Sequence, residues 1–172
     1  MSSFLRHCVF VFVFVCVTAA VSAFAADPLP APSGPVILTV TGEIGVTNAD
    51  GAARFDRDML EALPQASFVS YTDWTVGPQR FEGVLLKDLI ARIEGCGAEI
   101  FARALNNYGA PIPWSDLQEF PVLLALRQNG EEMRIRDKGP IWIIYPDPRP
   151  SLAHVGPHND KMVWQLETLE LR

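Results

Sequence analysis

Cysteine is scarce in this chain, with Cys8 and Cys16 inside an N-terminal apolar run and Cys96 beyond it. Once that run is removed, a single thiol remains. One thiol excludes an internal disulfide and a cysteine-cluster metal site. There is no glycine-rich phosphate loop, no dinucleotide fingerprint and no Gly-x-Ser-x-Gly elbow, so the common nucleotide-binding and serine-hydrolase signatures are missing. Basic residues are in deficit, 14 Lys and Arg against 20 Asp and Glu, for a net charge of −6. That balance argues against nucleic acid and anionic membrane surfaces as partners and favours solubility. Internal repeats are lacking, and one long hydrophobic run stands out, from Cys8 to about Ala20.

That run is too short for a comfortable membrane span. Arg6 and His7 precede it, and Ala23-Phe24-Ala25 follows with the small-x-small pattern of a cleavage site. Residues 1–25 therefore read as a cleaved signal peptide, leaving no stable membrane insertion. No Arg-Arg pair precedes the run, which indicates the general secretory route and a periplasmic or secreted product. Arg6 is the one charged residue removed, so the acidic surplus grows from −6 to −7. Residues 26–35, Pro-rich and Gly-containing, read as an extended leader with no packing face. Residues 36–172 are long enough for one compact domain with its own core.

Local patterns predict a strand-dominated mixed α+β domain with two or more short helices. Val36 to Gly42 is β-branched and predicts a strand, and Asn48 to Gly51 carries an Asp-Gly turn. Asp56 predicts an N-cap for a helix ending at Leu63 before Pro64, with Phe55 and Leu60 as a hydrophobic staple. Further strands are expected over 66–71, 98–105, 122–127 and 163–171. Leu85, Leu86, Leu89, Ile90 and Ile93 predict a helix over 85–94, approached from Gly83. Asn129-Gly130 signals a tight hairpin. The apolar run Ile141 to Tyr145 predicts a buried central strand.

The run Phe81-Glu82-Gly83-Val84-Leu85-Leu86-Lys87-Asp88-Leu89-Ile90 resembles the F-x-G-V-x-L-x-D-L-L signature of the sulfite-oxidase-type molybdopterin-binding domain family. The resemblance extends, in order, through Asn107-Tyr108-Gly109, Asn129-Gly130, Gly139-Pro140 and a last strand after Lys161. It implies that fold, and a molybdenum-bearing pterin as the family's cofactor. In the family a cysteine thiolate, four residues before a Trp-like position, binds the metal. Here Trp74 is present and Ser70 occupies the ligand position. A serine hydroxyl is a hard donor that stays protonated at neutral pH, a poor substitute for thiolate. The resemblance also places Trp142 where the family carries an arginine for the pterin phosphate, and Lys161 where it carries a further basic residue. No bound cofactor is expected, with molybdopterin held through Ser70 as the alternative.

What the family pocket keeps is aromatic. Tyr71, Trp74, Tyr108, Trp142, Tyr145 and Trp164 either form core or line a pocket with Ser70, Asn107 and Lys161, suited to a small planar or anionic ligand. No catalytic residue is assigned. His154, His158 and Asp160 are the weaker metal-ligand candidates, since Pro157 breaks any helix that would align the two rings. Cys96 reads as a small packed residue. The resulting expectation is an exported ligand-binding or accessory protein, serving a small molecule or a periplasmic sensor or redox partner. The alternatives are a molybdopterin-dependent oxidoreductase with non-cysteine ligation, and an interaction module with a filled pocket.

Overall fold

The computed structural model describes residues 28–147 and 158–172. Two sheets make the framework. The first has the order β2-β1-β10-β5-β6, from β1 (Leu38–Gly42), β2 (Ala53–Phe55), β5 (Glu99–Ala104), β6 (Gly109–Pro113) and β10 (Leu166–Leu171). Its β1 and β10 run parallel, with Thr39 opposite Thr168, and the other pairs are antiparallel. The second runs β3-β4-β7-β8, from β3 (Gln65–Ser70), β4 (Gln79–Leu85), β7 (Leu123–Gln128) and β8 (Glu131–Glu132). In it β9 (Trp142–Ile144) also pairs with β7. Helices α1 (Arg57–Glu61), α2 (Leu86–Arg92) and α3 (Asp116–Glu119) are short. The expected strand-dominated α+β domain is what forms.

Side-chain alternation sorts the second sheet into two faces. Leu124 and Leu126 of β7 join Val40, Ile100 and Leu169 of the first sheet in one large core. Leu123 and Ala125 point the other way, into a smaller cluster with Phe81, Met133, Trp142 and Ile144. A strand buried on both faces must be apolar throughout, which is why β7 reads Leu-Leu-Ala-Leu. Helix α2 adds Leu86, Leu89 and Ile90 to the larger core, each such burial contributing about 1.5–3 kcal/mol.

Three expectations are corrected here. Gly83 lies inside β4, and α2 starts only at Leu86, because Phe81 to Leu85 pairs with β7. The Ile141 to Tyr145 run is buried but not central. β9 pairs with β7 alone, and its other side is closed by the Ile143 N–H donating to the Val163 carbonyl and by a Trp142–Trp164 bridge. The leader does have a packing face. Leu29 is buried in the larger core, and the Ser33 and Gly34 N–H groups donate to Asp56 Oδ2 at 2.7 and 2.8 Å.

Asp56 also caps α1, its Oδ1 accepting from the Met59 N–H at 2.9 Å. The backbone donors of Met59 and then Gly34 hold its carboxyl below the usual carboxylate range, against the opposing effect of burial. A carboxyl with a depressed folded-state pKa contributes stability that is present above its unfolded value, about 4, and lost as pH falls through the folded value. Asp56→Asn should therefore flatten the acid limb of the stability–pH profile, measured by urea unfolding between pH 2 and 5. An unaltered acid limb would mean that other carboxylates set it.

Candidate functional site

Four pieces of chain converge at one end of the smaller cluster. The first follows β3, where Thr72 Oγ1 accepts from the Trp74 N–H at 3.3 Å and shares a hydrogen bond with Thr75 Oγ1 at 2.9 Å. This turn sets Trp74 against Trp142 and Trp164, with ring centroids 6.1 and 5.0 Å away and interplanar angles of 60° and 76°. The second is the β5–β6 turn, which Asn107 closes in the left-handed region with φ 66°. There the Tyr108 N–H donates to Asn106 Oδ1 at 3.0 Å. The third is a 3₁₀ turn, Asn159–Lys161, to which Tyr108 is tied by its hydroxyl donating to the Asp160 carbonyl at 2.7 Å. Asn159 Nδ2 donates to Asp73, joining that turn to the Trp74 loop. The fourth is Met162 to Trp164.

Between these pieces lies a cavity of about 380 Å³, walled by Trp74, Tyr108, Met162 and Trp164, with Asp73, Asn106, Asn159 and Asp160 around them. Larger depressions exist elsewhere. The one of about 800 Å³ beside the β7–β8 hairpin is lined by Arg127, Glu132, Arg134 and Asp137, which are already ion-paired.

Of the residues singled out in the sequence, Trp74 and Tyr108 line the cavity. Asn107 is exposed on its rim turn, and its neighbour Asn106 does the lining. Ser70 and Trp142 are fully buried behind it. The Ser70 hydroxyl accepts from the Asp147 N–H at 2.8 Å and lies 3.0 Å from the Tyr145 carbonyl, its nearer acceptor, clipping β3 to the chain after β9. Trp142 fills the smaller core, edge-on to Phe81, and its indole N–H donates to the Met162 carbonyl at 3.1 Å.

Lys161 turns away from the cavity. Its Nζ is 2.6 Å from Asp116 Oδ2, and the same oxygen accepts the Tyr145 hydroxyl at 2.7 Å. Burial, followed by that hydrogen bond and the Asp116 charge, pushes the Tyr145 phenol far above its ordinary value. His158 stacks on Tyr145 at 4.6 Å and 19°, with its Nδ1 buried and without a hydrogen-bond partner among the described residues. Burial first, and the Lys161 charge second, hold its pKa below the ordinary histidine value, which favours the neutral ring. Among the described residues no group of three potential ligands could hold a metal, and His154 lies outside them. Sequence reasoning missed Asp116 and the buried ion pair altogether. No local signal marks a pair whose members are 45 residues apart.

The cofactor that the resemblance implies calls for a thiolate at the metal and a free cation at the phosphate. Thiolate is missing at the Ser70 position, and Cys96 is exposed after α2, its N–H on the Glu43 carbonyl. The position resembling the phosphate-binding arginine is a buried tryptophan, and the nearby cation is neutralised by Asp116. These residues do not fit a molybdenum-bearing pterin.

Two packed, mainly antiparallel sheets with three short helices and an aromatic cavity between loops define an α+β domain of the molybdopterin-binding type. The chain belongs to the oxidoreductase molybdopterin binding domain family, which it matches over residues 52–167. No curated protein gave a significant match.

Proposed function

We propose that this protein is an exported member of its family that works without molybdenum, binding a small planar ligand in the cavity walled by Trp74, Tyr108 and Trp164. It serves as a periplasmic ligand-binding or accessory protein, with a sensor or redox protein as the partner that reads its occupancy. The observation that carries this reading is the engagement of Ser70. Its hydroxyl is buried, accepts one hydrogen bond and donates another, so ligation of a metal would first require breaking both. Each broken bond that leaves a buried partner unsatisfied costs about 1–3 kcal/mol. The signal-like residues 1–25 support export, and a general secretory signal suits a chain that carries no cofactor inserted before transport.

A second reading is favoured by family membership itself: a molybdopterin-dependent oxidoreductase held through Ser70. Metal and pterin content separate the two. The mature protein, purified from its own host, should contain neither molybdenum by elemental analysis nor a fluorescent pterin after oxidative release. About one molybdenum per chain together with pterin would overturn the reading and establish the enzyme.

A further inference from the structure

The walls of the cavity and its rim differ in character. Trp74 and Trp164 stand at 76° to one another, two apolar planes meeting in a corner, and Tyr108 and Met162 extend the apolar lining. Among the described lining residues the charged groups are carboxylates, Asp73 and Asp160, with no lysine, arginine or histidine beside them. Asp73 accepts from Asn159 Nδ2, a neutral donor, and no described side chain forms an ion pair with it. No described side chain forms an ion pair with Asp160, whose backbone carbonyl holds Tyr108 in place.

Among the described residues, the two basic residues of the adjoining turn do not offset this. Lys161 is committed to Asp116 at 2.6 Å, and its side chain is only 17% exposed. His158 is biased toward its neutral form by burial. The described groups around the cavity therefore leave an excess of negative charge.

We infer that the cavity selects a small organic cation, a planar or methylated ammonium, over neutral and anionic molecules of the same shape. Flat aromatic walls attract a cation through their ring quadrupoles, and the carboxylates supply the opposite charge. An anionic ligand would meet two like charges with no cation among the described lining residues, so the anionic alternative raised by the sequence is set aside. A hard metal ion is also a poor match, because two carboxylates against indole faces fall short of the six or more oxygens that calcium takes. A bicyclic ring is of suitable size, the volume lying within the usual range for small-molecule sites.

This inference rests on the reading of the cavity as a ligand site, and three probes that share one bicyclic ring and differ in charge separate the failure of one from the failure of the other. N-methylquinolinium, quinoline and quinoline-2-carboxylate would be titrated into the mature protein, with tryptophan fluorescence and calorimetry as readouts. The cation should bind at least roughly tenfold more tightly than quinoline, the carboxylate weakest of the three, and the preference should shrink as salt is raised. Asp160→Asn and Asp73→Asn keep the shape and remove charge, and each should reduce the cation's affinity roughly three- to tenfold with little effect on quinoline. Quinoline or the carboxylate binding as tightly as the cation would overturn the inference while leaving a ligand-binding cavity in place. Unchanged cation affinity in both variants would overturn it by placing the site elsewhere. If none of the three probes binds, the ligand-site reading falls with it.

Discussion

Lys161→Met should destabilise the protein by about 3–5 kcal/mol, the range for a buried pair that loses one partner. The Asp116 side chain is 7% exposed, and Lys161 Nζ approaches its Oδ2 to 2.6 Å. Without the lysine, a buried carboxylate would keep the Tyr145 hydroxyl as its sole remaining side-chain donor among the described residues. The loss should appear as a lower urea midpoint at unchanged slope. Asp116→Asn combined with Lys161→Met removes both charges, so the double variant should be clearly less damaged than the sum of the singles. A single-variant cost below about 1 kcal/mol is the behaviour of a solvent-screened surface pair. That result would free Lys161 to meet an anion and weaken the case for a cationic ligand.

Gly83→Ala should be comparably severe for a different reason. A Cβ at this position would lie 2.0 Å from the Leu124 carbonyl oxygen and 3.0 Å from the Ala125 Cα. Both obstacles are backbone of β7, and β4 is held on its other side by β3, so neither strand can yield without breaking a ladder. Overpacking usually costs 1–3 kcal/mol, and a rigid backbone obstacle puts this case at about 3 kcal/mol or above. Gly34→Ala is the control. Its nearest neighbour, Asp56 Oδ2, is 3.6 Å away, and the change should stay within about 0.5 kcal/mol. Thermal unfolding of the two variants makes the comparison. Equal melting temperatures would show that β4 and β7 can separate at this point. The glycine of the F-x-G-V run is thus a packing requirement between strands, independent of whatever the cavity binds.

Features set by neighbouring residues were legible in the sequence. Asp56 caps α1 three residues before the N–H it accepts, and Asn129-Gly130 turns with both residues at positive φ, 54° and 83°. Features set by distant partners were not. Leu85 to Ile93 carries a helical stripe, and that periodicity concealed the strand just before it, whose identity depends on Leu123 to Gln128. β6 went unseen because Pro111 and Pro113 signal a loop, yet an edge strand tolerates proline where no ladder hydrogen bond is needed. The site divided along the same line. Trp74 and Tyr108 were visible as aromatics near a resemblance motif, whereas Asp73 and Asp160 acquire their meaning only when Asn159 joins two turns 86 residues apart. Ser70 drew notice through the family resemblance, but its hydrogen bonds to the backbone 75 and 77 residues later could not be foreseen.

The placement of β10 has a consequence for how the molecule comes into being. This strand is inserted between β1 and β5, so the first sheet is joined across its middle by segments from opposite ends of the described chain. Until Leu166 to Leu171 emerges, β1 and the β5–β6 pair have nothing to bridge them, and the larger core stays open to water. Contacts so distant in sequence are slow to close, because the loop entropy is lost before any pairing compensates for it. A chain that emerges amino end first would therefore stay pliable through most of its described length and set only once Leu166 to Leu171 appeared.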